Sequence, residues 1–168
     1  MISINGKLRL EEVGPDQIKE IIALAREIWI PSFRSYFNEE QLWALFEGMY
    51  NRNLLQENLK KPNYHYYFIK NPKEEPIGYL ALEFSKDSLK IDKIYVHPKL
   101  QGSGIGSLIL VYILKKYKEN RIWLRVNRGN IGAVKLYEKH GFTTVARKDF
   151  HGPGQYKYED YIMEKAQI

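Results

Sequence analysis

Apolar residues recur along the chain with two periods. Between residues 18 and 29 they keep helical spacing, at Ile18, Ile21, Ile22, Ala25, Ile28 and Trp29, behind Pro15-Asp16 and ahead of Pro31. This predicts a helix that Pro31 ends or kinks. Asn38 before Glu39 and Glu40 reads as a cap with acidic first-turn residues, and Leu42, Leu45 and Phe46 form the stripe of a second helix. A short third helix over residues 51–59 stops before Pro62, and residues 7–10 make an opening strand.

From residue 64 the period is that of strands. Residues 64–70 and 77–84 flank the turn Asn71-Pro72-Lys73-Glu74-Glu75-Pro76, and residues 89–96 form a third strand. Leu89 and Ile91 share a face there, but the series resumes at Ile94 and Val96. The phase slips by one residue at Asp92-Lys93, which predicts either a β-bulge or a plain strand buried on both faces. A helix over 105–117 is apolar on most of its surface, so it packs against a sheet. A strand over 121–126 follows, then a helix over 130–139 closed by His140-Gly141. Strands over 142–150 and 156–164, around His151-Gly152-Pro153-Gly154, complete the chain. This order predicts an α/β (α+β) protein with one mixed, mostly antiparallel twisted sheet flanked by helices. No repeat or linker divides it, so residues 1–168 read as one domain.

Composition narrows the chemistry. With 44% hydrophobic and 14% aromatic residues the chain suits a packed globule. It has no cysteine, which removes disulfides, thiolate metal sites and a cysteine nucleophile together, and no metal is expected. The N-terminus turns polar within a few residues and no apolar run approaches ~18 residues. The expectation is a cytoplasmic protein without a membrane partner. The net charge of +6 is uneven: residues 1–84 carry 10 basic and 12 acidic side chains, and residues 85–168 carry 16 and 8. The basic half attracts anions, yet its charges are dispersed without a dense arm, so nucleic acid is not the expected partner.

That half contains Gln101-Gly102-Ser103-Gly104-Ile105-Gly106, between a strand and a helix. Such a turn presents backbone N–H groups to an anion, and the helix adds its unpaired donors and positive end. A P-loop would need a lysine after Gly106, where Ser107 stands. A Rossmann turn would need its third glycine at Ser107 and an acidic residue about 20 positions on. Both fail. A pyrophosphate cradle and a turn with glycines chosen for geometry alone remain.

Two blocks resemble the GNAT superfamily of N-acetyltransferases. One is Gln101-Gly-Ser-Gly-Ile-Gly106 after Ile94-Tyr95-Val96; the other is Asn130-x-x-Ala133-x-x-Leu136-Tyr137-Glu138-Lys139-x-Gly141-Phe142. The element order over nearly the whole chain agrees. The resemblance implies a GNAT-like acyl-CoA N-acyltransferase fold with acetyl-CoA as cosubstrate. Its pyrophosphate would lie on the amides of Gln101, Gly102, Ser103, Gly104, Ile105 and Gly106, and its pantetheine and thioester along Ile94, Tyr95 and Val96 of a strand splayed from its parallel neighbour. Asn130 would touch the pantetheine arm or the phosphates, and Tyr137 would protonate the departing thiolate. A phenol can do this for a thiolate of ordinary pKa, although an aromatic on the buried face of a helix is the plainer account of Tyr137.

Some members take the ammonium proton with a carboxylate by the bulged strand. Asp92 is the candidate, with Glu83 next, and pairing with Lys90 or Lys93 is the alternative for either. Absence of cysteine favours direct transfer in a ternary complex. The acceptor segment, Glu27 to Glu40, is similar to the PaiA-type branch that acetylates spermidine and spermine. Trp29 and Phe33 are its candidate substrate contacts by cation–π attraction, or part of an inter-helix core. The resulting expectation is an N-acetyltransferase acting on a small-molecule primary amine, with a polyamine as the specific candidate and a homodimer open. The alternatives are acetylation of a protein N-terminus, a lysine, an amino acid or an antibiotic amine, and an acyl-CoA sensor without turnover.

Overall fold

The computed structural model describes residues 2–151 and 157–165. The expected turn at Gly152, Pro153 and Gly154 and the strand start at Tyr156 lie outside the described residues. Strands β1 (Ile2–Ile4) and β2 (Leu8–Glu12) precede helices α1 (Ile18–Phe33), α2 (Glu39–Met49) and α3 (Arg52–Lys60). Strands β3 (Tyr64–Lys70), β4 (Pro76–Phe84) and β5 (Ser88–Val96) follow. Helix α4 (Ile105–Lys116), strand β6 (Arg121–Asn127), helix α5 (Ile131–Lys139) and strands β7 (Phe142–His151) and β8 (Lys157–Lys165) close the order.

All eight strands join one sheet in the order β1-β2-β3-β4-β5-β6-β8-β7. Only β5 and β6 run parallel; the other neighbours are antiparallel. This is the mixed, mostly antiparallel sheet expected. β1 was not foreseen, since three residues with one polar position carry no usable alternation. Pro31 lies inside α1 without ending it: it stands two residues from the last helical position, where the missing N–H removes a single ladder bond. Asn38, Asn51 and Asn130 each accept a backbone N–H three residues on, capping α2, α3 and α5.

The sheet buries both faces. Alternate residues of β3 divide between them, with Tyr64, Tyr66 and Phe68 toward α1–α3, and Tyr67 and Ile69 toward α4. Double coverage is why β3 and β4 read as near-continuous apolar runs. On the second face Ile109, Leu110 and Ile113 of α4 are fully buried with Leu89 and Ile91, each side chain contributing roughly 1.5–3 kcal/mol on burial. Among the described residues no helix is long and apolar enough to cross a membrane.

Candidate active site

The site begins at an irregularity in β5. Leu82 of β4 pairs with Ile91, but Ala81 pairs with Lys93, so Asp92 is an extra residue with no partner across the ladder. The bulge stands where the phase of the sequence slips. On the other edge, parallel pairing with β6 runs only from Ser88↔Arg121 to Ile91↔Leu124. Beyond that point Arg125, Val126 and Asn127 keep only the pairing on the other edge of β6, with β8. No ladder pairing joins β5 and β6 past the bulge, which bends and twists its strand. The sheet therefore splits beside Ile94, Tyr95 and Val96, with main-chain groups of β5 turned to the opening.

Gly78 lets β4 follow the bent strand. A Cβ on it would stand 2.4 Å from the Tyr95 carbonyl oxygen, closer than any side chain tolerates. At the end of β5, Gln101 Nε2 donates to Ser32 Oγ at 3.2 Å and to the Val96 carbonyl at 3.4 Å, tying the glycine turn to α1. Gly104 adopts φ 86°, a left-handed conformation, and starts α4 without a side-chain cap. The amides of Gly102, Gly104, Ile105 and Gly106 have no hydrogen-bond partner among the described residues. The first turn of α4 carries no acidic residue. The turn is thus a row of free donors at a positive helix end, as an anion cradle requires.

Tyr137 of α5 packs into the core cluster that includes Ile94 and Val126, and Tyr95 packs against the cluster on the other face. Tyr137 is 6% exposed, packs on Phe142, and its hydroxyl has no hydrogen-bond partner among the described residues. Burial, and then the nearby Tyr95, push its phenol well above the ordinary value. It stays protonated at neutral pH, so the hydroxyl has a proton to give and is no base. Both readings of this tyrosine hold together, since the ring is core and the hydroxyl is unspent. The Asn130 carboxamide oxygen accepts from the Ala133 amide, so its placed role is to cap α5.

Asp92 sits at the bulge, but its surroundings are not those of a base. Its carboxylate meets Lys90 Nζ at 2.5 Å and Lys93 Nζ at 2.6 Å, and accepts from the Tyr64 hydroxyl at 2.6 Å. Burial pushes the carboxyl upward, but the two ammonium groups outweigh it and hold it well below the usual carboxylate range. A carboxylate stabilised to that degree accepts protons poorly. Glu83 lies 3.7 Å from Lys90 at the rim of the same cluster.

Trp29 and Phe33, expected to touch an acceptor, are corrected by their burial. They are 3% and 5% exposed and stack on each other at 4.6 Å within the core under α1. Their spacing of four residues places both on the inward face of that helix. Phe33 instead supports the rings that do reach the opening, with Tyr95 at 6.0 Å and Tyr36 at 5.9 Å. Phe37 meets Tyr158 of β8 edge-on at 6.2 Å. Beside them lies Asp160, the one charged residue classed as buried among the described residues, paired with Arg125 Nη2 at 3.0 Å. Burial and Asp160 push the Tyr158 phenol up to about 12. Sequence reasoning missed this floor. The alternation Tyr158, Asp160 along β8 was the available signal, and it gains meaning only once β8 is seated beside β6.

Residues 22–142 match the model of the acetyltransferase (GNAT) family. An uncharacterized N-acetyltransferase of Lactobacillus delbrueckii subsp. lactis is 25% identical over 96% of this chain and 98% of its own length. Spermidine N(1)-acetyltransferase of Thermoplasma acidophilum is 24% identical over 94% and 96%. The crystal structure of PaiA N-acetyltransferase from the same organism, in complex with coenzyme A, superposes with a TM-score of 0.74 at 21% identity, covering 94% of this chain and 98% of that one.

Proposed function

The chain belongs to the acetyltransferase (GNAT) family, and we propose that it transfers the acetyl group of acetyl-CoA directly to a cationic primary amine of the polyamine class. The observation that carries this reading is the split between β5 and β6, which opens beside Ile94 to Val96 next to a glycine turn with free amides, with Tyr137 packed into the core cluster that includes Ile94 and Val126. The amides of Gly102, Gly104, Ile105 and Gly106 would hold the diphosphate, since those of Gln101 and Ser103 donate to the Pro98 and Leu100 carbonyls. The β5 main chain would align pantetheine and thioester along Ile94 to Val96, with the carbonyl carbon facing the open side of the sheet.

The neutral amine nitrogen bonds to that carbon and the C–S bond breaks. Tyr137 gives its proton to the departing sulfur and is reprotonated from solvent. The acceptor ammonium gives its first proton to water in the groove before it attacks, because Asp92 is engaged by two lysines. The nitrogen gives a second proton to the same water once it has bonded to carbon. Asp92 acts instead as a strut that fixes the bulge. Tyr36, Phe37, Tyr95 and Tyr158 supply aromatic faces and Asp160 a carboxylate for the ammonium groups of the acceptor. The polyamine reading is supported by the spermidine acetyltransferase among the relatives. Arg125, which is 36% exposed on the same floor, favours a second reading in which the acceptor carries a carboxylate, as an amino acid does.

Thiol release from acetyl-CoA against spermidine, spermine, putrescine, lysine, glycine and an N-terminal peptide tests both. Polyamines are expected to give the highest kcat/KM. Preference for the amino acids selects the second reading, and binding of acetyl-CoA with no thiol release from any amine refutes the enzyme. Replacing Tyr137 with Phe is expected to lower kcat by about 10²–10⁴ with little change in coenzyme affinity; unchanged kcat removes it from the mechanism.

A further inference from the structure

Where the first turn of α4 meets the end of α5, the Ser107 hydroxyl lies 2.6 Å from Nε2 of His140. Ser107 is the third residue of α4, next to the unpartnered amides of Ile105 and Gly106. What this pair offers to an anion depends on whether Nε2 carries a proton. When the ring is neutral with Nε2 bare, Ser107 must donate to it, and the hydroxyl oxygen turns only lone pairs outward. When the ring is protonated, Nε2–H donates to Ser107, which frees the serine proton to point at a phosphate oxygen. The ring then also adds a positive charge beside the helix start.

Among the described residues no carboxylate pairs with that charge. Burial and then the adjacent Lys139 hold the imidazole below its ordinary value. From β8, Lys165 Nζ comes within 2.8 Å of where a Gly141 Cβ would stand. Glu138 is exposed on α5, and the first turn of α4 has no acidic side chain. A diphosphate on the glycine turn would supply the missing negative charge.

We propose that Ser107 and His140 form a proton-coupled extension of the anion cradle, in which the ring takes up a proton as a diphosphate settles on the turn and the serine hydroxyl then donates to it. This rests on the reading that the turn holds the coenzyme diphosphate.

Dephospho-CoA is the informative probe, because its diphosphate does not titrate near neutrality and any proton taken up on binding must be held by the protein. The chain has four histidines, so ring NMR signals can be followed singly, with His140→Gln identifying the one of interest. The His140 titration is expected to move to higher pH when dephospho-CoA is added. The association constant should rise about tenfold from roughly pH 8 to pH 5.5, a dependence that His140→Gln flattens. Ser107→Ala should weaken binding while the ring still titrates. Unchanged His140 titration on binding overturns the proposal, as does a His140→Gln variant that keeps the wild-type pH profile. A response to CoA but not to dephospho-CoA assigns the pair to the 3′-phosphate and overturns it too. A wild-type protein that binds neither coenzyme at any pH refutes the cradle itself, so the two failures are distinguishable.

Discussion

Replacing Asp92 with asparagine keeps the shape of the bulge and removes its only negative charge. The carboxamide oxygen can still accept from Tyr64, so the loss is chiefly electrostatic. Lys90 and Lys93, whose side chains are 18% and 14% exposed, would be left facing a neutral group. Breaking a buried ion pair from one side costs about 3–5 kcal/mol. Here Lys90 keeps Glu83 at 3.7 Å, and the lysines lie over the rings of Trp123, Tyr50 and Tyr66. These remaining contacts reduce the expected loss to about 2–3 kcal/mol, a fall in Tm of about 5–10 °C for a chain of this size.

The pH dependence has a definite sign. The folded-state pKa of Asp92 is depressed, so its contribution is complete above the unfolded value near 3.8 and disappears as pH falls through the folded value. The stability gap between wild type and Asp92→Asn should therefore be constant at neutral pH and close in acid. The double variant Asp92→Asn/Lys93→Met separates strut from base. It removes one of the stranded charges, so thermal unfolding should return at least half of the lost stability, and kcat should return with it. A double variant with near-wild-type Tm and kcat still reduced more than about 100-fold would refute the strut and restore Asp92 as the proton acceptor.

Two other positions give direct outcomes. Gly104→Ala meets no atom within 4 Å but must hold φ 86°, at a cost of roughly 1–2 kcal/mol. The fold should survive, and the KM for acetyl-CoA should rise as the loop relaxes; an unchanged KM argues against a cradle there. In Gly78→Ala the new Cβ would clash at 2.4 Å with the Tyr95 carbonyl oxygen, which is backbone and cannot rotate away. The sheet must part at this point, so soluble yield and Tm should both drop sharply; a wild-type Tm would show that the β4–β5 contact is not so tight.

The coenzyme side was legible because its determinants are local. The bulge at Asp92 shows as a slip of one position in an alternating strand, and the turn as glycines that bracket a helix start. Both are settled by residues within a few positions of each other. Tyr137 stood out only through the resemblance of the block from Asn130 to Phe142 to the GNAT superfamily, since helical spacing alone reads it as a buried core aromatic. The base was not legible. Asp92 lies beside Lys93 in the chain, but the strength of their pairing depends on Lys90 and Tyr64 closing the same carboxylate, and Tyr64 comes from another strand.

The acceptor side could not be read in this way, because its surface is defined by what the helices fail to cover. Helices α1–α3 pack over β3, β4 and Tyr95 near the end of β5, and this consumes Trp29 and Phe33 as core. Past the split, the same sheet face continues onto β6 and β8, where Arg125, Tyr158 and Asp160 stand. These residues lie far along the chain from the aromatic segment they complete. Tyr36 joins them by resting against Gly129, where an added Cβ would come within 3.1 Å of its ring. The pairing of β6 with β8 thus brings a carboxylate and an arginine to the aromatic wall, and the balance between that pair is what an acceptor amine would meet. A second ammonium group on the acceptor would gain from Asp160 only by drawing it away from Arg125. Arg125→Gln should therefore raise kcat/KM for spermidine and lower it for any acceptor that carries a carboxylate. Equal effects on both classes would remove this pair from acceptor selection.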